Sequence, residues 1–580
     1  MACIPYVTVQ HDYPHVFADI VKGNVVAERI WVSTYALNAP SASIHSRILL
    51  VSDEQQDSSD DKQKNDTGRN DVVFAEIKPE NEIFIERIPG APKDFVIASV
   101  FRPAADSVAP PSTSGRHLQQ RIHLPPVRCV APNLTLPYPS AISPLRLRKG
   151  VNAHISAFDI SPNGRGLYVA GGPDGKCWIG KLPPASSAEG PPAQAALQPS
   201  VVLDGHVGDI TSARFFPSGE VVITTSSDFR VCIFSALPTP KEDGSTPSPS
   251  INAPVRTLVA HTRAPTCTAI LGKGRIVLSG GKDGYIRCWN VGEAKEVGNL
   301  PAAEAVVSSL FGPAIECMVL GPDPSAVGNG NADDAQGEVD LFPGLLPLLA
   351  VGLSSGEVVI HDLRKCSLGD EGTPSSGSAK PVRVQPANTI RSTVPAPVFP
   401  PGPPLDASDP ARAWAGSRSS SPVSALAWDA EGHNLVVGYQ NGIVAVYSVS
   451  QLLATEPNSK SAGGLLALWK RNDASITQVV LGPQSTASAT GRALHLVTTT
   501  SDGLACRLRL ELPTEPSAGD APDQLAVPVL EEEYIGWECG DGIAAAGVVS
   551  GQHGTPGEAA GGPTGRVLLA GAEGAIRLYR

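Results

Sequence analysis

LDGHVGDITSARFFPSGEVVITTSSDFRVCIFS (Leu203–Ser235) and LVAHTRAPTCTAILGKGRIVLSGGKDGYIRCWN (Leu258–Asn290) are two copies of one unit. Aligned on His206 and His261, the copies place Asp228 and Asp283 at one common offset. Six residues past each aspartate stands an aromatic, Phe234 or Trp289, followed by Ser235 or Asn290. Between histidine and aromatic, apolar and polar residues alternate in runs of strand length broken by turn residues. Such a unit cannot bury its faces alone and must stack against further copies.

The spacing has a physical reason. An aspartate in a tight turn between the second and third strands can reach the histidine that precedes the first strand. That histidine can in turn reach a Ser or Thr on the second strand, with the aromatic of the third packed beneath. The chain of contacts satisfies polar groups that the turn would otherwise orphan. His206, Asp228, Phe234, His261, Asp283 and Trp289 are therefore read as structural pins rather than as a catalytic set. The GH…D…WD pattern resembles that of a WD40 repeat, one blade of a β-propeller. Weaker copies lie at His154–Leu182 (with Asp174 in the turn and Gly180 at the aromatic position), Ile315–Arg364, Val423–Val449, Ser475–Leu510 and Gly542–Tyr579. Seven units predict an all-β fold: a seven-bladed WD40 propeller over residues 126–580, preceded by a small β-rich N-terminal domain over 1–125.

Composition agrees with many short strands. The 580 residues include 57 Gly and 54 Pro, which disfavour long helices. A net charge of −12, without a basic stripe, argues against a nucleic-acid partner. The ten cysteines form no CxxC pair and no Cys/His cluster, so neither metal nor cofactor is expected, and free thiols point to a reducing compartment. No signal-peptide pattern opens the chain, and the most apolar run, Leu341–Leu353, is too short to span a bilayer. The expectation is a soluble protein, monomeric when free, in the cytoplasm with the nucleus as a second location.

In the N-terminal region, Tyr6–Val9, Val25–Tyr35, Ile44–Val51, Val72–Ile77, Ile83–Ile88 and Phe95–Phe101 read as strands, and the polar run Ser52–Asp71 as a disordered loop. Tyr579 holds the third-strand aromatic position of the seventh unit, leaving nothing to form its fourth strand. That strand is expected from Arg128–Leu136 or Ile142–Leu147, closing the ring and avoiding an open edge. Inserts rich in Pro, Ser and Gly fall near 183–199, 237–254, 321–342, 367–421, 513–523 and 551–564; within 367–421 the fourth strand of the fourth unit cannot be placed. Apart from that one, the inserts enter loops on one side of the disc. The turns between second and third strands stay short in every unit, so their side is the expected docking face.

No phosphate-binding, metalloprotease or nucleophile-elbow motif is present, and an enzyme is not expected. Glu531–Glu533 precede Tyr534, Trp537, Glu538 and Asp541 ahead of the last unit. Glu532, Glu533, Trp537, Glu538 and Asp541 are candidates for an acidic, aromatic patch meeting a basic partner. Tyr439-Gln440-Asn441 is a weaker candidate of the same kind. His361-Asp362-Leu363-Arg364 resembles the motif by which WD40 substrate receptors engage the adaptor of cullin ubiquitin ligases.

FFPSGE (Phe215–Glu220), the RTL-x-x-HTR-x-x-x-T segment (Arg256–Thr266) and GKGRIVLSGGKDGYIRCW (Gly272–Trp289) resemble the proteasomal ATPase-associated factor family, over roughly Ile155–Val291. The resemblance implies a non-catalytic assembly chaperone that binds the C-terminal domains of ATPase subunits in the base of the proteasome regulatory particle. Asp209, Arg230, Arg263, Lys282 and Tyr285 flank the pinned loops and are further partner-binding candidates. The alternatives are a ligase substrate receptor, resting on His361, Asp362 and Arg364, and a scaffold in another assembly such as ribosome maturation.

Overall fold

The computed structural model describes residues 2–37, 43–52, 72–77, 83–88, 91–99, 124–136, 154–163, 166–182, 201–237, 250–302, 313–321, 348–363, 366–367, 385–386, 392–394, 421–429, 431–454, 464–482, 492–512, 525–538, 542–550, 565–571 and 574–579. The run 53–71, expected as a loop, lies outside them.

Seven antiparallel sheets, here called blades 1 to 7, each have a first, second, third and fourth strand (a to d). Blade 2 is Ile210–Phe215, Val221–Ser226, Arg230–Ser235 and Arg256–Val259; blade 3 is Pro265–Leu271, Ile276–Gly281, Tyr285–Asn290 and Lys295–Pro301. Blades 1, 4, 5 and 6 begin with Ala157–Ile160, Ile315–Leu320, Val423–Trp428 and Ile476–Leu481. Each a strand lies against the a strand of the next blade, and that of blade 7, Ile543–Ser550, lies against that of blade 1. Blade 7 takes its d strand from Leu134–Leu136, within the first of the two expected segments; Leu136 pairs with Ile576 and Leu134 with Leu578. In blade 4 the fourth strand, which no sequence pattern located, is Ser392–Val394, paired with Val358–Ile360.

Why neighbouring blades lock together is visible at the top of the a strands. In blades 2 to 7 the a–b register slips by one residue after the first position. In blades 2 and 3 the slip turns a threonine hydroxyl sideways onto the next blade. Thr211 Oγ1 donates to the Pro265 carbonyl at 2.6 Å, and Thr266 Oγ1 to the Ile315 carbonyl at 2.7 Å. Close apolar packing completes the seam: a Cβ on Gly352 of blade 4 would stand 2.5 Å from Val423 of blade 5.

The N-terminal region is joined to the ring rather than resting beside it. Tyr6–Val9, Ala27–Tyr35, Ile44–Ser52 and Val72–Ile77 form one antiparallel sheet. Ile83–Ile88 and Ala91–Ser99 continue through Val127–Val130, which runs parallel to Val529–Tyr534, the d strand of blade 6. One seven-stranded sheet therefore crosses residue 125. A nine-residue helix, Tyr13–Val21, absent from the sequence expectation, packs by Tyr13, Val16, Phe17 and Ile20. These residues share one apolar core with inward side chains of blades 5 and 6.

Candidate docking face

In five blades a backbone N–H of the b–c turn donates to a carbonyl of the loop entering strand a: Ser227 to Asp209, Lys282 to Ala264, Ser354 to Ala314, Gln440 to Pro422 and Ser501 to Ser475. These two loop sets thus make one continuous face. In blades 2 and 3 the pins rigidify it. His206 Nδ1 lies 3.1 Å from Asp228 Oδ2, and its Nε2 lies 2.9 Å from Thr224 Oγ1. Burial pushes the His206 imidazole below its ordinary pKa, against the pull of Asp228, so it is neutral and donates through Nδ1. In blade 3, His261 contacts Asp283 at 3.0 Å and Ser279 Oγ at 2.7 Å, while Trp289 Nε1 donates to the same Ser279 oxygen at 2.8 Å. Phe234 has no donor to offer, so blade 2 lacks this last link. Asp228 also accepts from the Val207 and Arg230 backbone N–H groups and from the Arg230 guanidinium. Burial raises its pKa, but these donors and the His206 neighbour outweigh it and hold the carboxyl below the usual range.

The turn itself requires a left-handed residue after the aspartate position. In six blades it is glycine, with positive φ at Gly175, Gly284, Gly356, Gly442, Gly503 and Gly574. In blade 2 it is Phe229, at φ +69°. For a residue with a Cβ this conformation costs about 1 kcal/mol. The Phe229 ring recovers little of that by burial, since the residue is 46% exposed. The chain before strand a contributes Val207, also exposed.

The candidates separate into two groups. Asp209, Arg263 and Lys282 are exposed on this face, while Arg230 and Tyr285 are partly covered. Arg230 lies on Asp228, and the Arg287 guanidinium lies 5.9 Å from the Tyr285 ring centroid. The acidic group is different, and the expected patch does not form. Glu533 is buried; it accepts from Arg471, itself buried, and from the Val7 backbone N–H at 3.1 Å. Its charge therefore ties the N-terminal sheet to the junction of blades 5 and 6. Glu532 faces Arg507 and Arg128, at 3.4 and 3.6 Å. Trp537 is buried against Gly571, with the Arg577 guanidinium 4.0 Å over its ring. Glu538 is exposed. Asp541 lies outside the described residues. The weaker candidate fails likewise at Tyr439, which is buried.

His361 stands in blade 4 where Phe234 and Trp289 stand in blades 2 and 3, and it is buried. The side chain of Asp362 and all of Arg364 lie outside the described residues. Among the described residues no group of three or more His, Cys, Asp or Glu side chains is placed to hold a metal ion. No helix there is long and apolar enough to cross a membrane.

The WD domain, G-beta repeat, family matches residues 197–235 and 252–290, each stretch taking in the fourth strand of one blade and the first three strands of the next. The chain is also 42% identical over 70 residues to the 26S proteasome regulatory subunit RPN14 of Saccharomyces cerevisiae. That likeness covers 12% of this chain and 14% of the yeast protein. WD40 repeats of this kind are protein-interaction units, typically without catalysis of their own. From the pinned histidine–aspartate pairs to the ring of seven blades, the chain carries two WD40 repeats and has the fold of an all-β WD40 propeller.

Proposed function

We propose that this protein is a non-catalytic assembly chaperone that binds the C-terminal domain of ATPase subunits in the base of the proteasome regulatory particle. The observation carrying the reading is the 42% identity to a proteasome regulatory subunit. A face built of short, mutually bonded turns supports it, because such a surface is preorganised for a protein partner. On this reading ATP is bound by the partner, and the protein works in the cytoplasm and nucleus. The docking surface is the part of the face over blades 2 and 3, where Asp209, Arg263 and Lys282 reach solvent.

The test is a native pull-down of the tagged protein with mass spectrometry of what accompanies it. Regulatory-particle ATPases without core-particle subunits are the expected result. A cullin adaptor without ATPases would overturn the reading in favour of a ligase receptor, with Arg364→Ala as the next variant. Ribosomal precursors and RNA would indicate the scaffold in ribosome maturation.

A further inference from the structure

We propose that the side of the disc opposite the docking face carries a second interaction surface, at the corner where blades 2 and 3 meet, and that it takes an acidic segment of a partner protein. This surface is independent of the function proposed above. Three pieces of chain converge there. The a–b turn of blade 3 supplies Lys273 and Arg275, its c–d turn leads into Lys295, and the d strand of blade 2 begins with Arg256. Backbone contacts hold the three together. The Val291 N–H donates to the Arg275 carbonyl at 3.0 Å, and Asn290 pairs with both Ile276 and Lys295. The Arg256 guanidinium reaches across the blades to the Gly292 carbonyl at 3.4 Å.

All four cations are exposed, and among the described residues none forms an ion pair with a carboxylate. Arg256 donates to two carbonyls, those of Val255 and Gly292. Fewer carboxylates lie nearby. Glu296 is taken by Arg287 at 2.9 Å, which leaves Glu293 in the c–d turn and Glu220 beside the a–b turn of blade 2. Four positive charges against two negative ones leave this corner basic, on a chain whose net charge is −12. A local reversal of sign is what complementarity to an acidic partner requires.

The charges stand on fixed turns. Gly272 and Gly274 hold positive φ, at +51° and +94°, and a Cβ on Gly274 would collide with the Phe216 ring of blade 2. Ala294 ends the c–d turn at φ +54°, packed against the apolar cluster that holds Val277 and Trp289. Turns fixed in this way keep the cations spaced as a partner docks. The chemistry of the corner favours carboxylates over a nucleic acid. Single-stranded nucleic acids need exposed rings for their bases to stack on, and the exposed Trp and Phe side chains of the described residues, Trp31, Phe84 and Phe229, all lie elsewhere.

The test is fluorescence anisotropy of the full chain with a fluorescein-labelled peptide of alternating aspartate and glutamate. The wild type should bind it, more weakly as salt is raised. Lys273→Glu, Arg275→Glu and Lys295→Glu together should weaken binding about tenfold. Lys273→Arg with Lys295→Arg keeps the charge and should bind as wild type, as should Arg263→Glu with Lys282→Glu on the other face. The substituted side chains are exposed, so thermal unfolding should not change and the triple variant should still capture what the wild type captures in the pull-down. No binding by the wild type, or equal binding by the triple variant, would overturn the proposal. Tighter binding of a single-stranded oligonucleotide of equal charge would overturn it too, by marking the corner as a nucleic-acid site. Loss of ATPase capture in the triple variant would show one surface serving one partner, and no second surface. Failure of the wild type to capture ATPases would sink the chaperone function and leave this surface standing.

Discussion

Replacing His361 by phenylalanine should make the propeller more stable, and increasingly so as the solution is acidified. His361 is 1% exposed, and among the described residues neither ring nitrogen makes a well-formed hydrogen bond. Burial pushes its pKa from 6.5 down to about 4, with only the Ala302 backbone pulling the other way. A depressed histidine pKa means that the unfolded chain binds the proton more readily than the folded one. The folded state therefore keeps its full stability above pH 6.5 and loses it as the pH falls toward 4. Below 4 the loss levels off. At 1.36 kcal/mol per pKa unit, the loss is about 3 kcal/mol. Phenylalanine occupies the same position in blade 2 without a group to protonate. Urea unfolding of wild type and His361→Phe at pH 7.5, 6, 5 and 4 measures the difference. Phenylalanine should lead by about 1–2 kcal/mol at neutral pH, from removal of the orphaned imidazole. The lead should widen by about 3 kcal/mol at pH 4. Other acid-sensitive groups are common to both proteins and cancel, so a gap that does not change with pH would refute the assignment.

Three further outcomes follow from the same geometry. Arg471→Met leaves Glu533 buried and unpaired, costing about 3–5 kcal/mol; hydrogen exchange should show Val7 and its sheet losing protection before the other blades. Asp283→Asn weakens the hold on His261 and on the Thr262 and Tyr285 N–H groups. A cost of about 1–3 kcal/mol is expected in thermal unfolding, and an unchanged midpoint would remove the pins from the stability account. Removing residues 567–580 takes the partner of Leu134–Leu136 away, and limited proteolysis should then cut throughout the ring rather than in blade 7 alone.

What the sequence made legible was local and periodic. The two strong repeats reveal their pins because histidine, aspartate and aromatic sit at fixed offsets within one blade. Val72–Ile77 and Ile83–Ile88 are readable because strand alternation needs no knowledge of the partner. The helix Tyr13–Val21 left a signal, Pro14 at its start and apolar residues at 13, 16, 17 and 20, yet it is short and lies among strands. Glu533 and Trp537 look like surface residues because the groups that enclose them, Arg471, Val7, Gly571 and Arg577, are remote in sequence. No periodicity reports such a pairing. Phe229 was readable in principle, since glycine follows the turn aspartate in blades 1 and 3. The signal was a missing glycine rather than a present motif.

The pairing of Leu134–Leu136 with Ile576–Leu578 also sets an order of events on the ribosome. The first of these strands emerges before any blade exists, and its partner is made after six of them. Through that interval the strand has no mate and the seventh blade cannot form. Contacts so distant along the chain are slow to make and leave an adhesive edge exposed while they wait. A protein proposed to steady the unfinished subunits of another assembly thus spends its own synthesis as an unfinished ring.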